Sequence, residues 1–243
     1  LVGTTLQVLA EQSRFQFRLR KWQRDLKDHV VVCGFGIKGK SALEYIQSHD
    51  EGIDAVVIDE SDDALEDANR LDINGISGKS YDRQILDAAR IGTAKFVIVA
   101  LSSDEQSILT VLRVRELNPT AKIVTSCKEE SNVELLSSSG ADEVIVSSSS
   151  AGRILGMAAE TPEAARVVND LLTFGDGLDI NERRIETDGE QIEQRPHQTA
   201  IAVIRDQKVH RPGDEECQTL RAGDQVIYID QTAPEEAEEP TKA

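Results

Sequence analysis

Three glycines and one acid carry the first chemical signal. Gly34-Phe35-Gly36-Ile37-Lys38-Gly39 is a GxGxxG pattern, and Asp59 follows Gly39 by 20 residues. The first glycine of such a pattern permits a tight turn, the second lets a pyrophosphate approach the backbone, and the third lets a helix pack close to a strand. Free N–H groups at the start of that helix receive the phosphates. A carboxylate at position 59 accepts from a ribose hydroxyl. The expected ligand is NAD or another adenine nucleotide. An acid here, rather than Arg or Lys, disfavours a 2′-phosphate and so favours NAD over NADP. Gly78-Lys79-Ser80 looks like the end of a P-loop, but the glycine required five residues earlier is Ile73. Lys79 is either a point charge within reach of a phosphate or a solvated turn residue.

These residues need strands and helices to hold them. Val30–Cys33 and Ala55–Asp59 are short β-branched runs of the kind buried on both faces of a sheet. Helices are expected over Lys40–Ser48, Ser61–Leu71 with Ser61 as N-cap, Asp82–Arg90, Ser103–Leu117 and Ser131–Ser139. Further strands are expected at Gly75–Gly78, Phe96–Leu101, Lys122–Ser126 and ending at Val146. Six strands alternating with helices imply an α/β fold with a Rossmann-like, doubly wound parallel sheet. Its ligand lies at the carboxyl ends of the strands. The candidate nucleotide-binding residues are therefore Gly34, Phe35, Gly36, Ile37, Lys38, Gly39, Asp59, Glu60, Gly78, Lys79, Ser80, Ala100, Leu101 and Ser102. No enzyme is expected. A dehydrogenase needs a proton-transfer group beside the nicotinamide, and His29, His49, His197 and His210 show no such arrangement.

The second half changes in kind. Ser147–Ser150 reads as a polar break. A helical stretch over Ala151–Leu172 follows, interrupted at Thr161-Pro162, with Thr161 as N-cap and Pro162 at the first helical position. Beyond Gly175 short strands are expected near Leu178–Ile180, Ile185–Glu186, Ala200–Arg205 and Gln225–Ile229, forming a small α+β subdomain.

Composition narrows the functions. The chain has 243 residues and a net charge of −17, which argues against a nucleic-acid partner. An apolar fraction of 39% supports a sizeable core. Cys33, Cys127 and Cys217 make neither a disulfide framework nor a metal knuckle. The charge is unevenly spread. Residues 1–28 carry six basic and three acidic side chains, while the rest carries 21 basic and 41 acidic. Residues 1–27 read as a basic helix, with a juxtamembrane position suggested by the positive-inside rule. Residues 233–243 read as a disordered acidic tail.

The residues quoted above, together with Arg115-Glu116-Leu117-Asn118-Pro119, Gly140-Ala141-Asp142-Glu143-Val144-Ile145, Pro212-Gly213-Asp214 and Leu220–Ile227, resemble the RCK (regulator of K⁺ conductance) family, relatives of Trk/Ktr uptake subunits. The resemblance covers about residues 28–231. It implies a Rossmann domain over 28–147, a helical crossover for dimerisation over 148–174 and a C-terminal subdomain over 175–232. It also implies a homodimer assembling into a tetrameric or octameric gating ring, and an upstream pore domain covalently attached through a 1–27 linker. The chain would then be a ligand-sensing gating domain at the cytoplasmic face of the cell membrane. The alternative is a peripheral subunit of a Trk/Ktr-type uptake system. The only Met is Met157, which favours the integral channel. The family's Ca²⁺ carboxylates match Ala100, Ser126 and Lys128, none of which can ligate a hard cation. That Ca²⁺ site is expected to be absent. Acidic clusters such as Glu129-Glu130 and Asp214-Glu215-Glu216 are left as solvated faces or other metal sites.

Overall fold

The computed structural model describes residues 26–173, 177–192, 198–217 and 219–231. Most of the expected 1–27 helix, the 233–243 tail and His197 lie outside the described residues. The chain forms two compact units, divided between Gly152 and Arg153.

The first unit contains β1 (Val30–Cys33), α1 (Ile37–His49), β2 (Ala55–Asp59), α2 (Asp62–Arg70), β3 (Asn74–Ser77), α3 (Arg83–Ala88), β4 (Phe96–Val99), α4 (Asp104–Leu117), β5 (Lys122–Cys127), α5 (Val133–Ser138) and β6 (Glu143–Val146). All strand pairs are parallel, and the order is β3-β2-β1-β4-β5-β6. The reason lies in the strand sequences. Along β1, Val31 and Cys33 enter one core while Val30 and Val32 enter the other. β2 divides in the same way, with Val56 and Ile58 opposed to Ala55 and Val57. A strand apolar on both sides needs a cover on both faces, and helices supply it.

Several boundaries differ from the sequence reading. α1 starts at Ile37, three residues before the expected Lys40, because Gly36 stands at its N-cap. Leu26 belongs to the sheet core rather than to a linker, and its carbonyl accepts from Thr93 Oγ1 at 3.0 Å. The expected Ser131–Ser139 helix divides into a 3-10 turn, Glu130–Asn132, followed by α5. Ser147–Ser150 is no break. It is the first turn of α6 (Ser147–Glu160), held by Ser147 Oγ donating to Cys127 O at 3.1 Å.

The Arg-Glu-Leu-Asn-Pro segment proves to be a structural knot. Asn118 Nδ2 donates to Ile91 O (2.7 Å) and Ala94 O (2.9 Å), while its Oδ1 accepts from Ala121 N (2.9 Å) and Thr120 N (3.1 Å). Arg115 donates to the carbonyls of Pro119, Ala121 and Gly140 and to Asp142. Asn118→Ala strands buried carbonyls and an amide together. It should cost about 2–3 kcal/mol, read as a lower urea midpoint at unchanged slope.

The second unit holds α7 (Pro162–Leu171) and an antiparallel sheet of β7 (Leu178–Arg184), β8 (Gln198–Arg205), β9 (Lys208–His210) and β10 (Gln225–Gln231), in the order β7-β10-β8-β9. Pro162 opens α7 as expected, although the Thr161 hydroxyl donates back to Met157 O instead of capping. Ile185–Glu186 is not a separate strand. Ile185 follows the end of β7, and its side chain joins Val203, Cys217, Leu220, Val226 and Tyr228 in the core. β9 was not read from the sequence.

Candidate functional site

A cleft of about 570 Å³ opens at the carboxyl ends of β1, β2, β3 and β4. Gly34 turns the chain out of β1 with a φ of +92°, a conformation glycine adopts without a Cβ penalty. A Cβ there would also meet Ala100 O at 3.0 Å. Gly36 faces open space, with nothing within 4 Å of an added Cβ. As the N-cap of α1 it offers no side-chain cap, so the first N–H groups of the helix are left for a ligand. At Gly39 an added Cβ would lie 2.0 Å from Gly34 O. The three glycines thus divide into one for the turn, one open to the cleft and one for close packing, as the spacing suggested.

Asp59 ends β2 and ties the cleft together. Its Oδ2 accepts from Phe35 N at 2.7 Å and its Oδ1 from Ser61 N at 2.8 Å. The carboxylate therefore positions the glycine loop, and each oxygen keeps a further lone-pair site for a hydroxyl. Ser61 caps α2 by accepting from Ala64 N.

The expected residues do not all reach the cleft. Gly34, Gly36, Asp59, Glu60, Gly78, Ser80, Ala100, Leu101 and Ser102 line it. Ser80 contributes wall only, since its buried hydroxyl pairs with Thr110 Oγ1 at 2.9 Å. Phe35 is buried in the core and offers only its backbone N–H, already given to Asp59. Ile37 is 87% exposed and does not line the cleft. Gly39 serves packing. Lys79 leans on Tyr81, 5.8 Å from the ring centroid, and hydrogen bonding to the Tyr81 side chain raises its pKa. Lys38 turns elsewhere, and its Nζ donates to Leu101 O (3.1 Å) and Ser126 Oγ (2.8 Å).

Three residues of this region were missed. Tyr81 and Gln106 line the cleft, and nothing in their sequence spacing marks them. Asp104 lies in the first turn of α4. In the structure it accepts from Lys128 N, Glu129 N and Asn132 Nδ2, and so ties α4 to the loop after β5. Burial pushes its carboxyl up, but those donors outweigh it and hold the pKa below the usual carboxylate value. Among the described residues no three His, Cys, Asp or Glu side chains converge as a metal site. None of the described helices is long and apolar enough to cross a membrane.

Comparison with known proteins agrees with this fold. The TrkA-N domain model matches residues 30–147. Potassium channel protein 1 of Methanocaldococcus jannaschii is 29% identical over 172 residues, 69% of this chain and 51% of that protein. The chain thus spans about half the length of that relative. The Trk system potassium uptake protein TrkA homolog of Methanothermobacter thermautotrophicus is 27% identical over 169 residues, 68% of this chain and 75% of that protein. The crystal structure of GsuK bound to ADP superposes with a TM-score of 0.51 at 27% identity, covering 56% of this chain and 36% of that one. Residues 30–147 therefore match a TrkA-N domain, and the proteins to which the chain is similar include potassium channel proteins.

Proposed function

We propose that this chain is the nucleotide-sensing regulatory domain of a potassium channel, acting at the cytoplasmic face of the membrane. The observation that carries the proposal is the pairing of an unobstructed Gly36 at an uncapped helix start with an Asp59 carboxylate that already holds the glycine loop. One receives phosphate and the other receives ribose. The ADP-bound relative supports an adenine nucleotide as ligand. In this reading residues 148–174 form the dimerising crossover, and copies of the domain assemble into a ring joined to a pore upstream. The nucleotide is a ligand and is not turned over. It shifts the pore only by its differential affinity for the ring's two states. A second reading, a peripheral subunit of an uptake system, is favoured by one observation: the chain covers 75% of the TrkA homolog.

Asp59→Ala is expected to weaken ADP binding roughly 10- to 100-fold, the worth of one or two hydrogen bonds to a charged group. Isothermal titration against wild type measures it, with circular dichroism to check folding. An unchanged affinity removes Asp59 from the site. Potassium flux through the pore-containing protein, with and without nucleotide, separates the two readings and tests the sensing role.

A further inference from the structure

The sheet reverses its order between β1 and β4. A dinucleotide bound at such a reversal straddles it, with one nucleotide over each half of the sheet. Here the cleft takes its walls from the ends of β1, β2, β3 and β4, and no residue of β5 or β6 lines it. The other half of the crevice is crossed by a side chain. Lys38 leaves the first turn of α1, and its ammonium joins Leu101 O, just beyond β4, to Ser126 Oγ on β5. Lys38 is half-buried there, and burial together with the nearby Lys128 lowers its pKa while Asp104 opposes the shift. An ammonium committed to a carbonyl and a hydroxyl is not poised on a phosphate.

We propose that Lys38 makes the cleft selective for an adenine mononucleotide over a dinucleotide, by bolting α1 across the ends of β4 and β5 where the second nucleotide would lie. The proposal rests on the nucleotide-binding reading of the cleft and specifies its ligand class. For a dinucleotide to enter, both Lys38 hydrogen bonds must break. A mononucleotide leaves them intact.

The test is isothermal titration of the 243-residue chain with ADP and with NAD⁺, for wild type, Lys38→Ala and Lys38→Met. Lys38→Met keeps the length of the side chain and removes the donors. Wild type should bind ADP at least on the order of 10-fold more tightly than NAD⁺. Lys38→Ala should narrow that preference by about 10-fold through tighter NAD⁺ binding, with ADP affinity held within about 3-fold. Lys38→Met should move the ratio in the same direction. Equal wild-type affinities, or a ratio that neither variant changes, would overturn the proposal while leaving the nucleotide reading intact. A loss of ADP affinity of about 10-fold or more in both variants would overturn it too, by making Lys38 a phosphate ligand. Binding of neither nucleotide to wild type would defeat the nucleotide reading itself and this proposal with it. Should Lys38→Ala fail to fold, the wild-type preference and Lys38→Met still decide.

Discussion

Gly39→Ala should destabilise the first unit by at least about 3 kcal/mol, at the upper end of what overpacking costs. The added methyl would sit 2.0 Å from Gly34 O and 3.1 Å from both Gly34 C and Val32 Cγ1. None of these can yield cheaply. Gly34 N is bonded to Ile58 O at 2.9 Å, its φ is +92°, and the next strand end is held close by Ala100 N donating to Cys33 O at 2.8 Å. Moving α1 outward would instead open the core around Leu43 and Phe35. Gly36→Ala, three residues earlier, is the matched control. Its methyl meets nothing, so stability should stay within about 1 kcal/mol of wild type. On the proposed nucleotide-binding reading the same methyl would stand in the path of a pyrophosphate, so ADP affinity should fall about 10-fold or more. Urea unfolding followed by circular dichroism gives the first quantity, and titration gives the second. A Gly39→Ala protein as stable as wild type would mean that the helix–strand contact is looser than the structure shows.

The second large effect belongs to the C-terminal unit. Arg205 and Asp224 form a buried bidentate pair, with Nε–Oδ1 at 2.9 Å and Nη2–Oδ2 at 2.6 Å. The rest of the guanidinium donates to Glu216 O and Thr219 O, and Asp224 Oδ2 also accepts from Arg221 N. The pair thereby closes the chain between β8 and β10. Arg205→Met leaves a buried carboxylate without its partner and should cost about 3–5 kcal/mol. A double replacement, Arg205→Met with Asp224→Leu, removes both charges and should recover most of that loss. Recovery below half would show that the carbonyl contacts of Arg205, rather than the pair, hold the loop. The pH dependence has a definite sign. Arg205 holds the Asp224 carboxyl below its ordinary value, against the opposing effect of burial. At low pH the unfolded chain then binds a proton that the folded chain does not. The stabilisation is full above the unfolded carboxyl range and is lost as the pH falls below about 4. Unfolding midpoints at pH 7 and pH 3 should differ more for wild type than for the double variant.

Reading the sequence placed Asp59 at the end of β2 and assigned the three glycines their separate tasks. It did so because those tasks depend on neighbours along the chain: a turn, a helix start, a strand end. It also marked α2 by its cap, since Ser61 acts on an amide only three residues away. Ser147–Ser150 was misread because serine has no strong local preference for a helix interior, and the contact that anchors this turn is Cys127 O, twenty residues back. Lys38 stands among the candidate nucleotide-binding residues by its position beside the glycines. In the structure its ammonium donates to Leu101 O, just beyond β4, and to Ser126 Oγ on β5, 63 and 88 residues away.

The amino-acid sequence by itself determined the alternation of strand and helix, the two-faced burial of the strands and the glycine geometry of the first turn. Each follows from periodicity and backbone sterics acting over a few residues. Only the tertiary structure decided where the long polar side chains go. Lys38, Asp104, Asn118, Arg115 and Arg205 each end on backbone groups of distant segments. A buried carbonyl or amide without water must find a partner, and which side chain supplies it depends on what the folded sheet brings within 3 Å or so.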